Sequence, residues 1–139
     1  MERIGEEMPK ILNLTQHVAT PEQIEAGVFE PSEEDKKEIQ KLLTFDEKPT
    51  CVELHLASLK LAKISTKYFS MSYAEEIEHR GKAMIGGAPY FMRSLENALI
   101  DVDVWPVYAF SKRESVDQPQ ADGSVKKVAV FKHCGFVEV

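Results

Sequence analysis

The sequence predicts an α/β fold with a mainly parallel sheet and an antiparallel edge at the C-terminal end. Short apolar segments of strand length alternate with longer segments that carry helix-start signals. Two strand-like segments close the chain, separated by a polar turn. The 139 residues, 43% hydrophobic and 29% charged, suit one soluble domain. We expect that domain over residues 9–139, with residues 1–8 frayed.

Strand and helix signals alternate along the first part of the chain. The apolar run Ile11–Leu14 has the length of a short buried strand. Thr20–Gln23 then combines an N-cap, a first-turn proline and a capping-box glutamine, so a helix begins there and Gly27 ends it. Val28–Glu30 predicts a second short strand.

Three further helix starts follow. Ser32 precedes an acidic first turn, which the helix dipole favours. Thr50–Glu53 is another capping box and opens a helix to about Lys67, whose apolar positions span a wide face that we expect to be covered. Ser72–Glu75 begins a short helix that Gly81 ends.

The second half contains the strand–turn–helix segment with the most information. Lys82–Ile85 predicts a buried strand, Gly86-Gly87 a turn, and Ala88-Pro89 the entry to a helix. The core stripe of that helix comprises Phe91, Leu95, Ala98, Leu99 and Val102. Val104–Phe110 predicts the next strand, and Val125–Val139 a last strand or hairpin.

Composition excludes several classes of function. The net charge of −6 argues against nonspecific binding to bulk DNA, which needs a basic surface. No apolar run approaches the roughly 18 residues of a membrane span. The N-terminus is charged and lacks an apolar signal core, so we expect a cytoplasmic protein. The four histidines and two cysteines show no metal-ligand spacing, so we expect neither a metal site nor a cofactor.

Polar or glycine-rich residues follow three of the predicted strands. These stretches are Thr15-Gln16-His17, Gly86-Gly87 and Ser111-Lys112-Arg113. In an open parallel sheet, ligands bind outside the carboxyl ends of the strands, near the point where strand order reverses. The three stretches would therefore share one rim if their strands are parallel.

The residues at this rim suit a small anion. Glycines let the backbone approach a ligand, and the first amides of the following helix favour negative charge. His17 changes charge near neutral pH, and Arg113, helped by Lys112, can bind two oxygens of a phosphate. Each stretch also has a plain structural explanation, as a tight connection, a helix cap or a solvated strand exit.

The chain resembles a known family at four segments: Ile11–His17, Met84–Pro89, Tyr108–Glu114 and Phe131–Phe136. Together they are similar to the small stand-alone CRISPR-associated Rossmann-like proteins, relatives of the CARF sensor domains, some of which are ring nucleases. The resemblance implies a three-layer Rossmann-like fold. It also implies a homodimer that binds a cyclic oligoadenylate between its two sheet rims.

The resemblance also implies roles for individual residues. Thr15, Gln16 and His17 match the first ligand loop, Gly86 and Gly87 the phosphate-cradling turn, and Ser111 and Arg113 the rim. Ring nucleases of this kind use no metal, because they align a ribose 2′-hydroxyl for attack on its own phosphate. His17 or Arg113 would stabilise the developing oxyanion.

The sequence thus predicts a protein that binds a nucleotide-like anion at the carboxyl rim, with metal-independent cleavage as an extension. Two alternatives stay open. One is a noncatalytic interaction module whose glycine turn is structural and whose aromatic surface, including Tyr68-Phe69 and Tyr90–Met92, contacts a protein partner. The other is an enzyme that acts on a different phosphorylated substrate.

Overall fold

The computed structural model describes residues 10–69 and 81–139. Strands and helices alternate along most of this chain. The elements are β1 (Ile11–Asn13), α1 (Pro21–Glu25), β2 (Val28–Phe29), α2 (Glu33–Leu43), α3 (Cys51–Thr66), β3 (Gly81–Met84), α4 (Pro89–Asp101), β4 (Val104–Pro119) and β5 (Val125–Glu138). None of the helices in these two ranges is long and apolar enough to cross a bilayer.

The five strands form one sheet in the order β2-β1-β3-β4-β5. The first four are parallel, and β5 pairs antiparallel with β4. The predicted parallel sheet with an antiparallel C-terminal edge is therefore confirmed. Because the chain moves from β1 to β2 on one side and then to β3 on the other, the strand order reverses between β1 and β3.

The helices begin where the sequence predicts them. Thr20 with Gln23, and Thr50 with Glu53, form complete capping boxes in which side chain and backbone bond in both directions. The Ser32 side chain accepts a hydrogen bond from the Asp35 amide at the start of α2. Side-chain oxygens thus satisfy amides that have no partner within the helix.

The main core lies between one face of the sheet and helices α2, α3 and α4. Its buried residues are Leu12, Leu14, Ile39, Ala57, Leu61, Ala62, Ile64, Ala83, Ile85, Phe91, Met92, Leu95, Ala98, Leu99 and Val104. A smaller cluster on the opposite face contains Ile11, Ala19, Val28, Met84 and Val107. The described chain therefore has a mixed α/β architecture, and the larger of its two cores lies on the face of the sheet that α2, α3 and α4 cover.

Two predictions about these elements are wrong, and two further predictions lie outside the described residues. The strand predicted over Val104–Phe110 continues to Pro119. Part of the wide apolar face of α3, which we expected to be covered, is exposed: Val52 has 66% of its full accessibility and Leu56 has 50%. The helix start predicted at Ser72–Glu75 falls between the two described ranges, and residues 1–8, which we expected to be frayed, precede the first of them.

Beyond the sheet, β4 and β5 continue together as a hairpin, and we call residues 110–133 the β4–β5 arm. A bulge marks its base, where Ala109 pairs with Phe136 but Ser111 pairs with His133, so β5 holds one extra residue there. Gly135 occupies this bulge with φ +111°, a conformation that glycine adopts without steric cost. A bulge of this kind bends and twists the strand that carries it.

A polar clamp joins the start of α2 to the end of α3. The buried Asp35 carboxylate accepts hydrogen bonds from the Tyr68 hydroxyl and from Lys67 Nζ, the latter at 2.9 Å. Tyr68 Oη in turn accepts the Ser32 amide at 2.9 Å. The Tyr68 hydrogen bond, followed by the Lys67 ion pair, lowers the pKa of Asp35.

We predict that Tyr68→Phe lowers the free energy of unfolding by about 1–2 kcal/mol at pH 7, because Asp35 and the Ser32 amide lose a partner. The loss should shrink as the pH falls through the depressed pKa of Asp35, since the protonated carboxyl gains little from the clamp. Denaturant unfolding at pH 7 and pH 3 measures both effects. Tyr90→Phe is the control, because the Tyr90 side chain is exposed. Equal losses in the two variants would contradict the clamp.

Candidate functional site

A cleft of about 400 Å³ opens at the carboxyl ends of β1 and β3, where the strand order reverses. Its volume falls in the range of about 300–1,000 Å³ that is typical of small-molecule sites. Three stretches line it: the β1–α1 segment, the β3–α4 turn and a short part of β4. The lining residues are Thr15, Gln16, His17, Val18, Thr20, Gln23, Met84, Ile85, Gly86, Gly87, Tyr108 and Ala109.

Asn13, the last residue of β1, shapes the first wall of the cleft. This buried side chain uses both ends of its amide. Nδ2 donates to the His17 carbonyl at 2.7 Å, while Oδ1 accepts the Thr15 amide at 2.9 Å and the Thr15 hydroxyl at 2.7 Å. The turn that carries Thr15 to His17 is therefore folded around one asparagine.

Glu30 holds that asparagine in place from the end of β2. Its carboxylate accepts Asn13 Nδ2 at 2.9 Å and the Ala19 amide at 2.9 Å, and it lies 3.5 Å from Lys36 Nζ. Burial alone would raise the pKa of Glu30, but the hydrogen bonds from Asn13 and Ala19 and the charge of Lys36 outweigh it and lower that pKa. The carboxylate thus stays charged and fixes both ends of the loop.

The three predicted residues of this loop have different surroundings. The Thr15 hydroxyl bonds within the turn, so its methyl group is the part closest to Gly86. Gln16 Nε2 donates to Thr44 Oγ1 at 3.1 Å, which links the loop to the end of α2. His17 is exposed, and its imidazole bonds to nothing in the described ranges. Of the three, His17 is the side chain free to meet a ligand.

The β3–α4 turn supplies backbone donors on the second wall. The amides of Gly86, Gly87 and Ala88 donate to no acceptor within residues 10–69 and 81–139. Helix α4 follows at once, with Pro89 in its first turn and no side-chain cap at Ala88. These amides and the positive end of the helix dipole are therefore available to an acceptor in the cleft.

The two glycines of this turn are there for different reasons. Gly87 has φ +147°, which side chains disfavour. A Cβ at Gly86 would meet only the Thr15 methyl carbon, at 3.9 Å, which is ordinary contact. Gly87 is thus required by the backbone, whereas Gly86 keeps the cleft open.

Tyr108 and Ala109 of β4 form the third wall. The Tyr108 hydroxyl donates to Glu96 of α4 at 2.6 Å. Burial, together with this bond to a carboxylate, raises the pKa of Tyr108 well above its usual range. The phenol is therefore neutral and structural.

The structure brings together two of the three predicted stretches. Thr15, Gln16 and His17 lie across the cleft from Gly86 and Gly87. Ser111, Lys112 and Arg113 lie instead on the exposed β4–β5 arm and do not line the cleft. Arg113 is four residues beyond Ala109, which places its backbone about 13 Å farther along the strand. The predicted strand exit at Ser111 does not exist, because β4 keeps its pairing with β5 there.

Two residues that shape the site escaped the sequence analysis, although each carried a signal. Asn13 is a polar residue inside an apolar strand, which is costly unless it is hydrogen bonded. Glu30 follows β2, so the same strand-end rule that selected the other stretches also applied to it.

The lining offers hydrogen-bond donors and little charge. It contains no lysine or arginine, and His17 is its only imidazole. Within the described ranges, no group of three His, Cys, Asp or Glu side chains is placed to hold a metal ion. The arrangement can bind an acceptor-rich group of low negative charge through amides, hydroxyls and one imidazole.

The model of a family described as the uncharacterized protein MJ1673 family matches residues 9–137. No curated protein and no solved structure matches the chain.

We predict that Glu30→Ala lowers the free energy of unfolding by about 2 kcal/mol at pH 7, because Asn13 and the Ala19 amide lose their acceptor. The deficit should shrink as the pH falls below the usual carboxyl range and through the depressed pKa of Glu30, since the wild-type carboxylate then becomes protonated and loses its stabilising contacts. Urea titrations of the wild type and of Glu30→Ala at pH 7 and pH 3 measure this difference in the free energy of unfolding. Glu33→Ala, at a side chain that is 85% exposed, should change stability by less than about 0.5 kcal/mol. A Glu30→Ala effect no larger than that of Glu33→Ala would contradict the network.

Proposed function

We propose that this chain, which belongs to the uncharacterized protein MJ1673 family, binds a small nucleotide-like anion in the cleft between β1 and β3. One observation carries the proposal. The cleft lies at the strand-order reversal of a mainly parallel sheet, and its second wall contains Gly86 and Gly87, whose amides have no acceptor in the described ranges and directly precede a 13-residue helix. Open α/β sheets bind their ligands at such crevices.

A phosphate group would occupy the β3–α4 wall. The amides of Gly86, Gly87 and Ala88 would donate to its oxygens, and the dipole of α4 would stabilise its charge. Pro89 has no N–H, so binding relies on the amides that precede it. The missing side chain at Gly86 leaves the backbone accessible at this point.

The lack of basic side chains in the lining favours phosphate groups of low negative charge. With no lysine or arginine in the cleft and a net charge of −6 on the chain, a triphosphate would find no counter-charge. Each phosphodiester linkage carries one charge, and successive linkages are separated by a nucleoside, so the neutral donors and the helix end need to balance only the one linkage that lies against them. A phosphodiester-linked nucleotide, including a cyclic oligoadenylate, is therefore the favoured ligand class.

One specific feature favours cleavage as a second activity, namely His17 in the lining with no described partner for its imidazole. A ribose 2′-oxygen would form a bond to the adjacent phosphorus while the P–O5′ bond breaks. The proton of the 2′-hydroxyl would pass to a base, and the 5′-oxygen would receive one. His17 can accept or deliver that proton, and the amides can stabilise the oxyanion.

We predict that a phosphodiester-linked nucleotide raises the Tm of the wild type by several degrees and that Gly86→Val weakens binding at least tenfold. Valine would fill the cleft without backbone strain, because Gly86 does not have a positive φ and a Cβ there would meet only the Thr15 methyl carbon at an ordinary contact distance of 3.9 Å. Thermal shift across cyclic and linear nucleotides, followed by calorimetry, measures both. Gly86→Ala is the graded control and should bind with intermediate affinity.

Arg113→Ala gives a second control, because Arg113 does not line the cleft. Its ligand affinity should match that of the wild type. No stabilisation by any nucleotide, or unchanged binding by a folded Gly86→Val protein, would refute the proposed function.

For cleavage, we predict that His17→Ala abolishes formation of a 2′,3′-cyclic phosphate product while retaining ligand affinity within a few fold. His55→Ala, at an exposed position of α3, is the matched control and should react like the wild type. Incubation with cyclic oligoadenylate and separation of the products by chromatography provides the test. Wild-type protein that binds the ligand but releases no product would limit the function to binding.

A further inference from the structure

Beyond its base at His133, the β4–β5 arm has little cover on either face within the described ranges. Every residue of β4 beyond Tyr108 is exposed, and most of β5 is exposed as well. The nine residues from Ser111 to Pro119 pair with β5 over a length of about 30 Å. A two-stranded hairpin that packs against nothing is only marginally stable in water. The arm is therefore built to lie against another surface.

Apolar side chains lie on both faces of this arm. Val116 pairs directly with Val128, and Val130 follows on the same face. On the other face, Phe131 has 73% of its side chain exposed. Apart from Tyr90, the described aromatic residues for which the sequence suggested a partner surface lie buried or half-buried against the core: Tyr68, Phe69 and Phe91. The arm thus carries one part of the exposed apolar surface, and Val52, Leu56 and Leu59 of α3 form another.

Charge in the chain is segregated between the arm and the rest. Residues 110–133 carry five Lys/Arg and three Asp/Glu, a net charge of +2, so the remaining residues carry −8 of the total of −6. Lys112 and Lys132 lie directly opposite each other in the hairpin. Like charges in such a pair repel, and within the described ranges neither lysine forms an ion pair. An acidic group from outside the chain would relieve this repulsion.

We propose that the β4–β5 arm docks on the acidic surface of a second copy of this chain, which makes the protein a dimer. The complementary charge is present on the same molecule, as exposed carboxylates of α1 and α2: Glu22, Glu25, Glu33, Glu34 and Glu38. At the base of the arm, the His133 amide already donates to Glu22 of its own chain at 3.1 Å. This inference does not depend on what the cleft binds.

A protein partner fits the arm better than a nucleic acid does. Glu114, Asp117 and Asp122 are interspersed among its cations and would repel a phosphate backbone. Exposed valines and a phenylalanine framed by charged residues are instead typical of a protein interface.

The decisive variant is Lys132→Glu, measured by sedimentation and light scattering on the full chain. It places a carboxylate opposite Lys112, so the isolated hairpin should be at least as stable as before, and an unchanged circular dichroism spectrum verifies the fold. The wild type should have twice the chain mass of 15.7 kDa at low salt and dissociate more readily in 1 M salt. Lys132→Glu should weaken the dimer at least tenfold. Lys60→Glu, the same charge reversal at an exposed site on α3, should leave it intact.

Phe131→Ala offers a second readout that involves no charge. It should also weaken the dimer, whereas Tyr90→Ala, at a side chain with 57% exposure, should not. A wild type that is monomeric at every concentration tested, or a Lys132→Glu protein that remains dimeric, would overturn the inference. So would a monomer whose arm instead binds a labelled single-stranded oligonucleotide in low salt.

Discussion

The hydrogen bond between Asn13 and Glu30 is the contact on which the rest of the site depends. It joins the carboxyl ends of β1 and β2, the two strands on one side of the strand-order reversal. Asn13 also accepts a hydrogen bond from the Thr15 amide, which shapes the turn to His17. Glu30 also accepts one from the Ala19 amide, which positions the chain just before α1. A half-buried carboxylate and a buried carboxamide are costly unless they are hydrogen bonded, and here each is a partner of the other.

The neutral hydrogen-bond donors of the cleft and the charged side chains of the β4–β5 arm lie in different parts of the molecule. In the cleft, backbone amides, a helix end and one imidazole face the open space, while the cations of residues 110–133 lie on the arm. Neutral donors held by the backbone bind through geometry and lose little entropy on binding. Lysines and arginines on an exposed ribbon act over longer distances and suit an extended acidic surface. The two surfaces therefore suit partners of different chemistry.

Local signals in the sequence were sufficient for most of the fold. Capping residues marked the starts of α1, α2 and α3, and short apolar runs located β1, β2 and β3. The length of β4 was not predictable in this way, because Ser111-Lys112-Arg113 are polar and resemble a loop. Strand pairing with β5, not burial, keeps these residues extended. The exposure of Val52 on α3 was not predictable either. Apolar residues at helical spacing indicate a face that can be covered, but they do not show whether a neighbouring element covers it.

The most direct test of the cleft is an NMR titration of ¹⁵N-labelled protein with a phosphodiester-linked nucleotide. The account predicts the largest amide shift changes at Gly86, Gly87 and Ala88, with smaller changes from Thr15 to Val18 and none at Arg113. Saturable changes confined to the β4–β5 arm, or no changes at all, would contradict it.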